Sequence, residues 1–352
     1  MDQPLTQETR DAIEHIANNI FPLQFVFAII GIFLNILHLF ITTRKSMRTS
    51  STNSLIIAIA LCDLIVLVFL VSDRVYGYLN PYDACNNQNT YWYHLFNITS
   101  DICRDTFTQS SCCLGLCLAF IRLLVIKFSM KLGRKAETIS RRSTGYLVII
   151  MVLMLNFLIT GRFYFRMRIV PSGHWEPLQS CTGFPDNYSE LYYLERFNGI
   201  DEDYMAAATT FKTTKGMAQL IVSVIYPILA IALLLEIRKA AVNAELLSHH
   251  QSTERLRTSR MVLLLTVSFL VASTPPGISY LFQVSVPKYP ILELVYGYGS
   301  ILFTVLFSFN ASAHCVICFT MSSEYRKTVK RVLGVRRIEV DLNIFTINNK
   351  ES

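Results

Sequence analysis

Seven long apolar segments constrain the fold of this chain more than any other feature. They cover approximately residues 21–43, 54–79, 97–127, 144–166, 214–237, 259–283 and 290–319. Each is long enough to cross the hydrocarbon core of a bilayer, which takes roughly 20 mostly apolar residues. Soluble domains carry about a quarter charged residues, whereas this chain is 16% charged and 52% hydrophobic. The sequence therefore predicts an all-α protein, a seven-transmembrane helix bundle in a lipid bilayer.

Basic residues in the connections between segments predict how the chain is oriented across the membrane. The connection after the third segment carries Lys127, Lys131, Arg134, Lys135, Arg141 and Arg142. Because basic loops stay in the cytoplasm, we expect an extracellular N-terminus over 1–20 and a membrane domain over 21–320. A short amphipathic cytoplasmic helix over 321–334 and a cytoplasmic tail over 335–352 should follow. The net charge of +7 reflects this topology and does not indicate nucleic-acid binding.

A few ionisable residues interrupt the apolar segments. Asp63 lies in the second segment and Arg122 in the third, and Asp101, Arg104 and Asp105 lie near the outer end of the third. A charge inside a membrane is costly and is a functional hypothesis by default. Helical rise separates Arg104 from Arg122 by about 27 Å. Arg122 should therefore lie at the cytoplasmic mouth of the bundle, where its long side chain can reach water.

The pattern of polar residues favours a receptor over other membrane proteins. A transporter would keep its charges at the midplane of two repeated halves, and we find no such repeat. An intramembrane enzyme or a metal site would need a catalytic or ligand set, for which Asp63 and His314 alone are weak evidence. Pro227 and Pro275 fall inside segments, where proline kinks a helix. These features suit a bundle that transmits a conformational change and has no enzymatic activity.

Short motifs in the segments resemble those of a known family. They include Gly31-x-x-x-Asn35, Ala60-Leu61-Cys62-Asp63, Arg122, Pro227, Phe269 with Pro275, and Asn310-Ala-Ser-Ala-His314. Together they look like the landmarks of rhodopsin-like G-protein-coupled receptors. The stretches LAFIRLLVIKF and SCTGFPDNYSE look more narrowly like the nematode serpentine receptor class W, which is similar to receptors for FMRFamide-like neuropeptides. The resemblance covers roughly residues 20–334.

The resemblance implies a surface for a heterotrimeric G protein at the cytoplasmic side. Arg122 would meet the G protein when the sixth segment swings outward, beside Lys127, Arg257 and Arg260. The sequence departs from the family pattern at Ile121, Ser273, Ala311 and His314. Ile121 stands where an acid usually locks the arginine, so we expect altered switching in a working receptor.

The resemblance also implies a polar switch in the middle of the bundle. Its members would be Asn35, Asp63, Ser111, Phe269, Pro275, Asn310 and His314. A sodium ion at Asp63 is one expectation, although hard cations need several oxygen ligands and Leu306 replaces one of them. A water-bridged hydrogen-bond network is the alternative. We expect no other cofactor and no other metal.

The outer half of the bundle is the expected ligand site. Retinal and amine ligands are disfavoured, because 290–319 lacks a lysine and Arg104 stands where amine receptors need an aspartate. Aromatic residues in the loop between the fourth and fifth segments suit an extracellular peptide ligand. The predicted ligand-binding residues are Asp101, Arg104, Asp105, Thr108, Tyr280 and Tyr296.

Three readings of function stay open at this point. A neuropeptide receptor of the plasma membrane is our first hypothesis, a chemosensory receptor for an environmental small molecule is the second, and a transporter is the third. For Arg104, a helix-internal salt bridge with Asp101 or Asp105 is the alternative to ligand contact.

The outer loops carry two expected covalent modifications. The resemblance implies a disulfide that ties the loop after the second segment to the loop after the fourth, which would join Cys85 to Cys181. Cys103 is a competing partner, because it stands closer to the start of the third segment. The sequon at Asn187 lies in an exposed outer loop and predicts a glycan there.

Overall fold

The computed structural model describes residues 7–45, 47, 50–80, 85–129, 133–197, 201–245, 249–283 and 290–332. Within these ranges it leaves out side chains near several helix ends, chiefly those of 7–11, 201–203, 240–245, 249–259, 280–283 and 290–298. The helices are α1 (Gln7–Thr42), α2 (Ser51–Leu79), α3 (Tyr91–Ser129), α4 (Gly133–Ser140), α5 (Arg142–Tyr164), α6 (Asp201–Glu245), α7 (His249–Gln283), α8 (Pro290–Met321) and α9 (Ser323–Val332). The strands are β1 (Met167–Trp175) and β2 (Glu190–Phe197).

Seven of these helices are long and apolar enough to cross a membrane, which confirms the predicted bundle. They are α1, α2, α3, α5, α6, α7 and α8. Helix α3 packs against α2, α5, α6 and α7, so its side chains face the interior along most of its length. We call the end of the bundle that carries β1 and β2 the hairpin end, and the opposite end the α9 end.

Two elements were not predicted from the sequence. Helix α4 is a short helix in the connection between α3 and α5. Strands β1 and β2 form an antiparallel hairpin that runs from the pair Met167 and Phe197 to the pair Trp175 and Glu190. Its register shifts between Pro171 and Gly173, because proline has no N–H to donate to the ladder. A search for apolar membrane spans overlooks such short, half-exposed strands.

Several bonds tie the hairpin to the neighbouring loop and to α3. Cys85 and Cys181 form a disulfide, and Cys103 keeps a free thiol. The Tyr193 N–H donates to the Asn89 carbonyl oxygen at 2.8 Å. His94 Nδ1 lies 2.9 Å from Glu195 Oε1. The hairpin is therefore held as a fixed cover over the end of the bundle.

A close approach of α3, α6 and α7 forms the centre of the core. The rings of Tyr226 and Phe269 stack with centroids 5.9 Å apart, and the Tyr226 hydroxyl donates to the Cys112 carbonyl oxygen at 2.7 Å. Gly115 faces both side chains, and a Cβ there would lie 2.6 Å from the Phe269 ring and 2.6 Å from the Tyr226 hydroxyl. Only glycine lets α3 come this near, because any side chain would push the rings away.

Helix α9 is anchored to the bundle by one buried tyrosine. The Tyr325 hydroxyl lies 3.1 Å from His38 Nδ1, and the two rings stack at 5.5 Å. Burial raises the pKa of Tyr325 well above its ordinary value, so the hydroxyl stays neutral and can donate. On the other face Lys330 and Arg331 are exposed, as in a helix that lies at a lipid surface.

We expect the loss of the disulfide to destabilise the hairpin end. The double variant Cys85→Ala with Cys181→Ala should lower the free energy of unfolding by about 2–5 kcal/mol, since a cross-link that closes a long loop restricts the unfolded chain. Thermal unfolding of the purified protein measures this. Cys103→Ala is the matched control and should unfold like the wild type. An unchanged melting temperature in the double variant would contradict the prediction.

Candidate functional site

A cavity of about 260 Å³ lies among α2, α3, α6, α7 and α8, in the half of the bundle nearer the hairpin. One wall is apolar and consists of Val66, Leu70, Phe303 and Phe307. The other carries polar and charged side chains, among them Arg104, Asp105, Thr108, Lys215 and Gln219. An apolar enclosure with a few convergent polar groups is the usual form of a ligand site.

Arg104 is held between two carboxylates. Its Nη1 lies 2.8 Å from Asp73 Oδ2, and its Nη2 bonds to Asp101. The other oxygen of Asp73 accepts a hydrogen bond of 2.7 Å from the Ser100 hydroxyl. The guanidinium thus joins α2 to α3 while one side of it lines the cavity.

Asp105 makes a second ion pair, with a residue that the sequence analysis missed. Lys215 of α6 reaches Asp105 Oδ1, and the Tyr164 hydroxyl donates to Asp105 Oδ2 at 3.1 Å. Lys215 and Asp73 both lie inside predicted apolar segments. The signal that singled out Asp63, a charge within a span, would therefore also have found them.

Three further predicted ligand residues have different outcomes. Thr108 lines the cavity. The side chains of Tyr280 and Tyr296 lie outside the described residues. All of these assignments to a ligand stay predictions.

A buried polar network surrounds Asp63 deeper in the bundle. Asp63 has no exposed surface, and its Oδ1 accepts a hydrogen bond of 2.6 Å from the Ser111 hydroxyl. His314 Nδ1 lies 3.0 Å from Asp63 Oδ2. The two atoms are close, but their orientation is not that of a hydrogen bond, and neither has a hydrogen-bond partner among the described residues. The carboxylate therefore connects α2, α3 and α8.

The remaining predicted switch residues lie around this network. The His314 ring is 4.8 Å from the Phe269 ring. Asn35 Nδ2 donates to the carbonyl oxygens of Gly31 at 2.9 Å and of Ala311 at 3.2 Å. Pro275 lies inside α7. The set thus spans α1, α2, α3, α7 and α8. A conformational change that is transmitted from helix to helix requires residues distributed in this way.

The surroundings of Asp63 fit a sodium ion only in part. Asp63, Ser111 and Asn310 offer oxygen atoms, and Asn310 Oδ1 has no hydrogen-bond partner among the described residues. Hard cations prefer oxygen ligands, whereas the imidazole of His314 occupies one side of the carboxylate. Sodium and a water-bridged hydrogen-bond network therefore both stay predictions.

Arg122 lies near the α9 end of α3. Its Nε is buried and has no hydrogen-bond partner among the residues that the structure describes. The preceding Ile121 packs into the core. An acid at this position would have placed a carboxylate beside the Arg122 guanidinium. Lys127 and Arg260 are exposed at the same end, and the side chain of Arg257 lies outside the described part of the chain.

We expect the contact between His314 and Asp63 to stabilise the bundle. His314→Ala should lower the free energy of unfolding by about 1–3 kcal/mol, because it removes the polar group that lies beside the buried Oδ2 of Asp63. Ser111→Ala removes a single hydrogen bond to the same carboxylate and should cost about 1.5–3 kcal/mol. Thermal unfolding of the purified variants measures both. If His314→Ala were as stable as the wild type, this account of Asp63 would be wrong.

Comparison with known families agrees with this architecture. The chain matches, over residues 22–336, the family described as serpentine type 7TM GPCR chemoreceptor Srw. No curated protein sequence matches it. The matched range includes all seven candidate spans apart from residues 19–21 of the first. The chain therefore belongs to the Srw family of serpentine seven-transmembrane G-protein-coupled receptors.

Proposed function

We propose that this receptor binds an extracellular neuropeptide of the FMRFamide-like class and activates a heterotrimeric G protein at the plasma membrane. The observation that carries this proposal is the cavity with its charged wall beneath the hairpin. It offers polar anchors for the end of a ligand, and the hairpin offers a surface for the remainder.

The hairpin end is the extracellular side in this proposal. Its disulfide between Cys85 and Cys181 is of a kind that persists in an oxidising compartment. Asn187 is exposed in the loop between the strands, where an attached glycan has room. The basic connections then face the cytoplasm, as the positive-inside rule requires.

The exposed surface of the hairpin suits a peptide. On β2 Leu191 is 47% exposed, and Leu194, on the opposite face of the strand, is 37% exposed. Each offers apolar area that a bound ligand would cover. A strand edge can also bind an extended peptide through its backbone. Within the described residues β1 pairs with no strand other than β2, so its other edge carries no ladder of strand hydrogen bonds.

The volume of the cavity limits how much of a peptide it can enclose. At about 260 Å³ the cavity is slightly smaller than most sites for drug-sized molecules, which measure roughly 300–1,000 Å³. It therefore holds the end of a peptide, with the preceding residues against the hairpin.

A receptor for an environmental small molecule is the second candidate. The description of the family as chemoreceptors favours it, and a small molecule could fill the cavity without touching the hairpin. The two candidates differ in whether changes on β2 affect potency. Leu191→Asp should weaken a peptide by about tenfold or more, and it should leave a small cavity ligand unaffected.

A ligand screen tests the proposal. Cells that express the receptor with a promiscuous G protein would be exposed to a peptide library and to a small-molecule library, with intracellular calcium as the readout. We expect a response to a peptide that disappears in cells without the receptor. Responses to small molecules alone would contradict the peptide proposal.

Arg122 should be needed for signalling and not for ligand binding. Arg122→Ala should keep surface expression and agonist affinity, because the side chain is far from the cavity, and it should largely remove agonist-stimulated nucleotide exchange. Arg162→Ala, at the exposed hairpin end of α5, is the matched loss of an arginine and should signal normally. Normal exchange in a well-expressed Arg122→Ala receptor would refute the assigned role.

A further inference from the structure

A second cavity of about 260 Å³ lies at the hairpin end, between the last turns of α2 and the first turns of α3. Asp73, Tyr76, Tyr93 and Phe96 are among the residues that line it, and we call it the α2–α3 cavity. Asn86, an exposed residue of the loop before α3, lines it as well, so the cavity is open to the surface. None of the described residues that line it also lines the first cavity, which lies among α2, α3, α6, α7 and α8.

An aromatic wall forms one side of the α2–α3 cavity. The Tyr76 ring of α2 stacks with the rings of Tyr93 and Phe96 on α3, with centroids 5.4 and 5.7 Å apart. The face of an aromatic ring carries negative potential, so it attracts a cation that lies within about 6 Å of the ring centroid. This wall therefore favours a cation over an anion.

A carboxylate adds a full negative charge beside the rings. The side chain of Asp73 is 23% exposed, and its oxygens accept hydrogen bonds from Ser100 and Arg104. An ionised carboxylate has about four acceptor positions. A bound cation can therefore lie beside Asp73 while Arg104 stays in place.

The positive charges near this cavity are engaged outside it. None of the described residues that line the α2–α3 cavity is a lysine, an arginine or a histidine. Arg104 is shared between Asp73 and Asp101, so one guanidinium compensates two carboxylates. Arg74 donates to Gln24 of α1 at 3.0 Å. A cation that enters the cavity thus meets a carboxylate without meeting a basic side chain in the wall.

The polar wall of the α2–α3 cavity is held in place by the hairpin. Asn87 Nδ2 donates to the Leu191 carbonyl oxygen at 3.2 Å, and Asn87 Oδ1 accepts a hydrogen bond of 3.1 Å from the Asn89 N–H. Walls that are ordered before binding reduce the entropic cost of binding. The other amide side chains in the wall are those of Asn80, Asn86, Gln88 and Asn97.

We propose that the α2–α3 cavity is a second binding site, which takes a small alkylated ammonium ion. Its methyl groups would pack on the rings, and aromatic walls are the usual way in which proteins recognise such cations. A metal ion suits the site less, since hard cations need several oxygen ligands. No group of three or more His, Cys, Asp or Glu side chains that could hold a metal occurs in the part of the chain that the structure describes. The proposal goes beyond the proposed function, because the peptide is assigned to the first cavity.

Choline and 3,3-dimethylbutan-1-ol test the proposal, because the two molecules have nearly the same shape and only choline carries a charge. Their affinities for the purified full-length receptor would be measured by ligand-observed NMR at millimolar concentrations. We expect choline to bind the wild type about tenfold more tightly than the alcohol, a ratio that corresponds to ~1.4 kcal/mol.

Two variants should reduce this ratio to about threefold or less. Asp73→Asn removes the charge and keeps the shape of the side chain. The leucine variant, Tyr93→Leu with Phe96→Leu, removes two rings and keeps an apolar wall, so the alcohol should bind as it does to the wild type. Asp101→Asn is the matched loss of a carboxylate outside the α2–α3 cavity and should keep the tenfold ratio.

Phe303→Leu locates the bound choline, because it removes a ring from the first cavity only. The tenfold ratio should survive this change, and its loss there would contradict the proposal. Equal affinities in the wild type, or a tenfold ratio that persists in Asp73→Asn or in the leucine variant, would overturn it. Retained binding of the alcohol shows that the leucine variant is folded. Because neither a peptide nor a G protein takes part, a failed ligand screen would contradict the proposed function and leave this result standing.

Discussion

The bundle depends on how its charges are compensated inside an apolar medium. A charge in the bilayer is costly when it is alone, and a buried charge is tolerated when it is paired and hydrogen-bonded. Here the partners come from different helices: Arg104 joins α3 to α2 and Lys215 joins α6 to α3, and Asp63 of α2 accepts a hydrogen bond from Ser111 of α3. The same contacts that satisfy the charges therefore also set the positions of the helices.

The contacts by which neighbouring helices compensate these charges connect the hairpin end of the receptor to its α9 end. The ion pairs of the cavity hold α2, α3 and α6 near the hairpin, and the network of Asp63 holds α2, α3 and α8 below it. Phe269 packs on His314 and on Tyr226, which extends this contact to α6 and α7. A ligand that shifts the upper pairs can thus change the packing around Arg122, since closely packed helices move between discrete arrangements.

The spans could be predicted from the sequence, and Asp63 and Arg122 could be singled out within them, because apolar length and isolated charges are local signals. The sequence also offered Asp101 as a partner of Arg104, and the structure shows that contact. It did not predict Asp73 or Lys215 as partners, since both are distant along the chain and their proximity depends on the packing. The hairpin was missed because its strands alternate weakly and carry Pro171 at the register shift. The role of Tyr325 was also hidden, because its contact with His38 requires α9 to fold back against α1.

The central claim is that paired charges between helices hold the bundle together, and a double-mutant cycle on Asp73 and Arg104 tests it most directly. The unfolding free energies of Asp73→Asn, Arg104→Gln and the double variant would be compared with that of the wild type. The account predicts a coupling energy of about 1 kcal/mol or more, within the range of contacting residues. The exposed pair of Lys327 and Glu324 within α9 should couple by only about 0.3–0.5 kcal/mol. Additive effects at Asp73 and Arg104 would contradict the account.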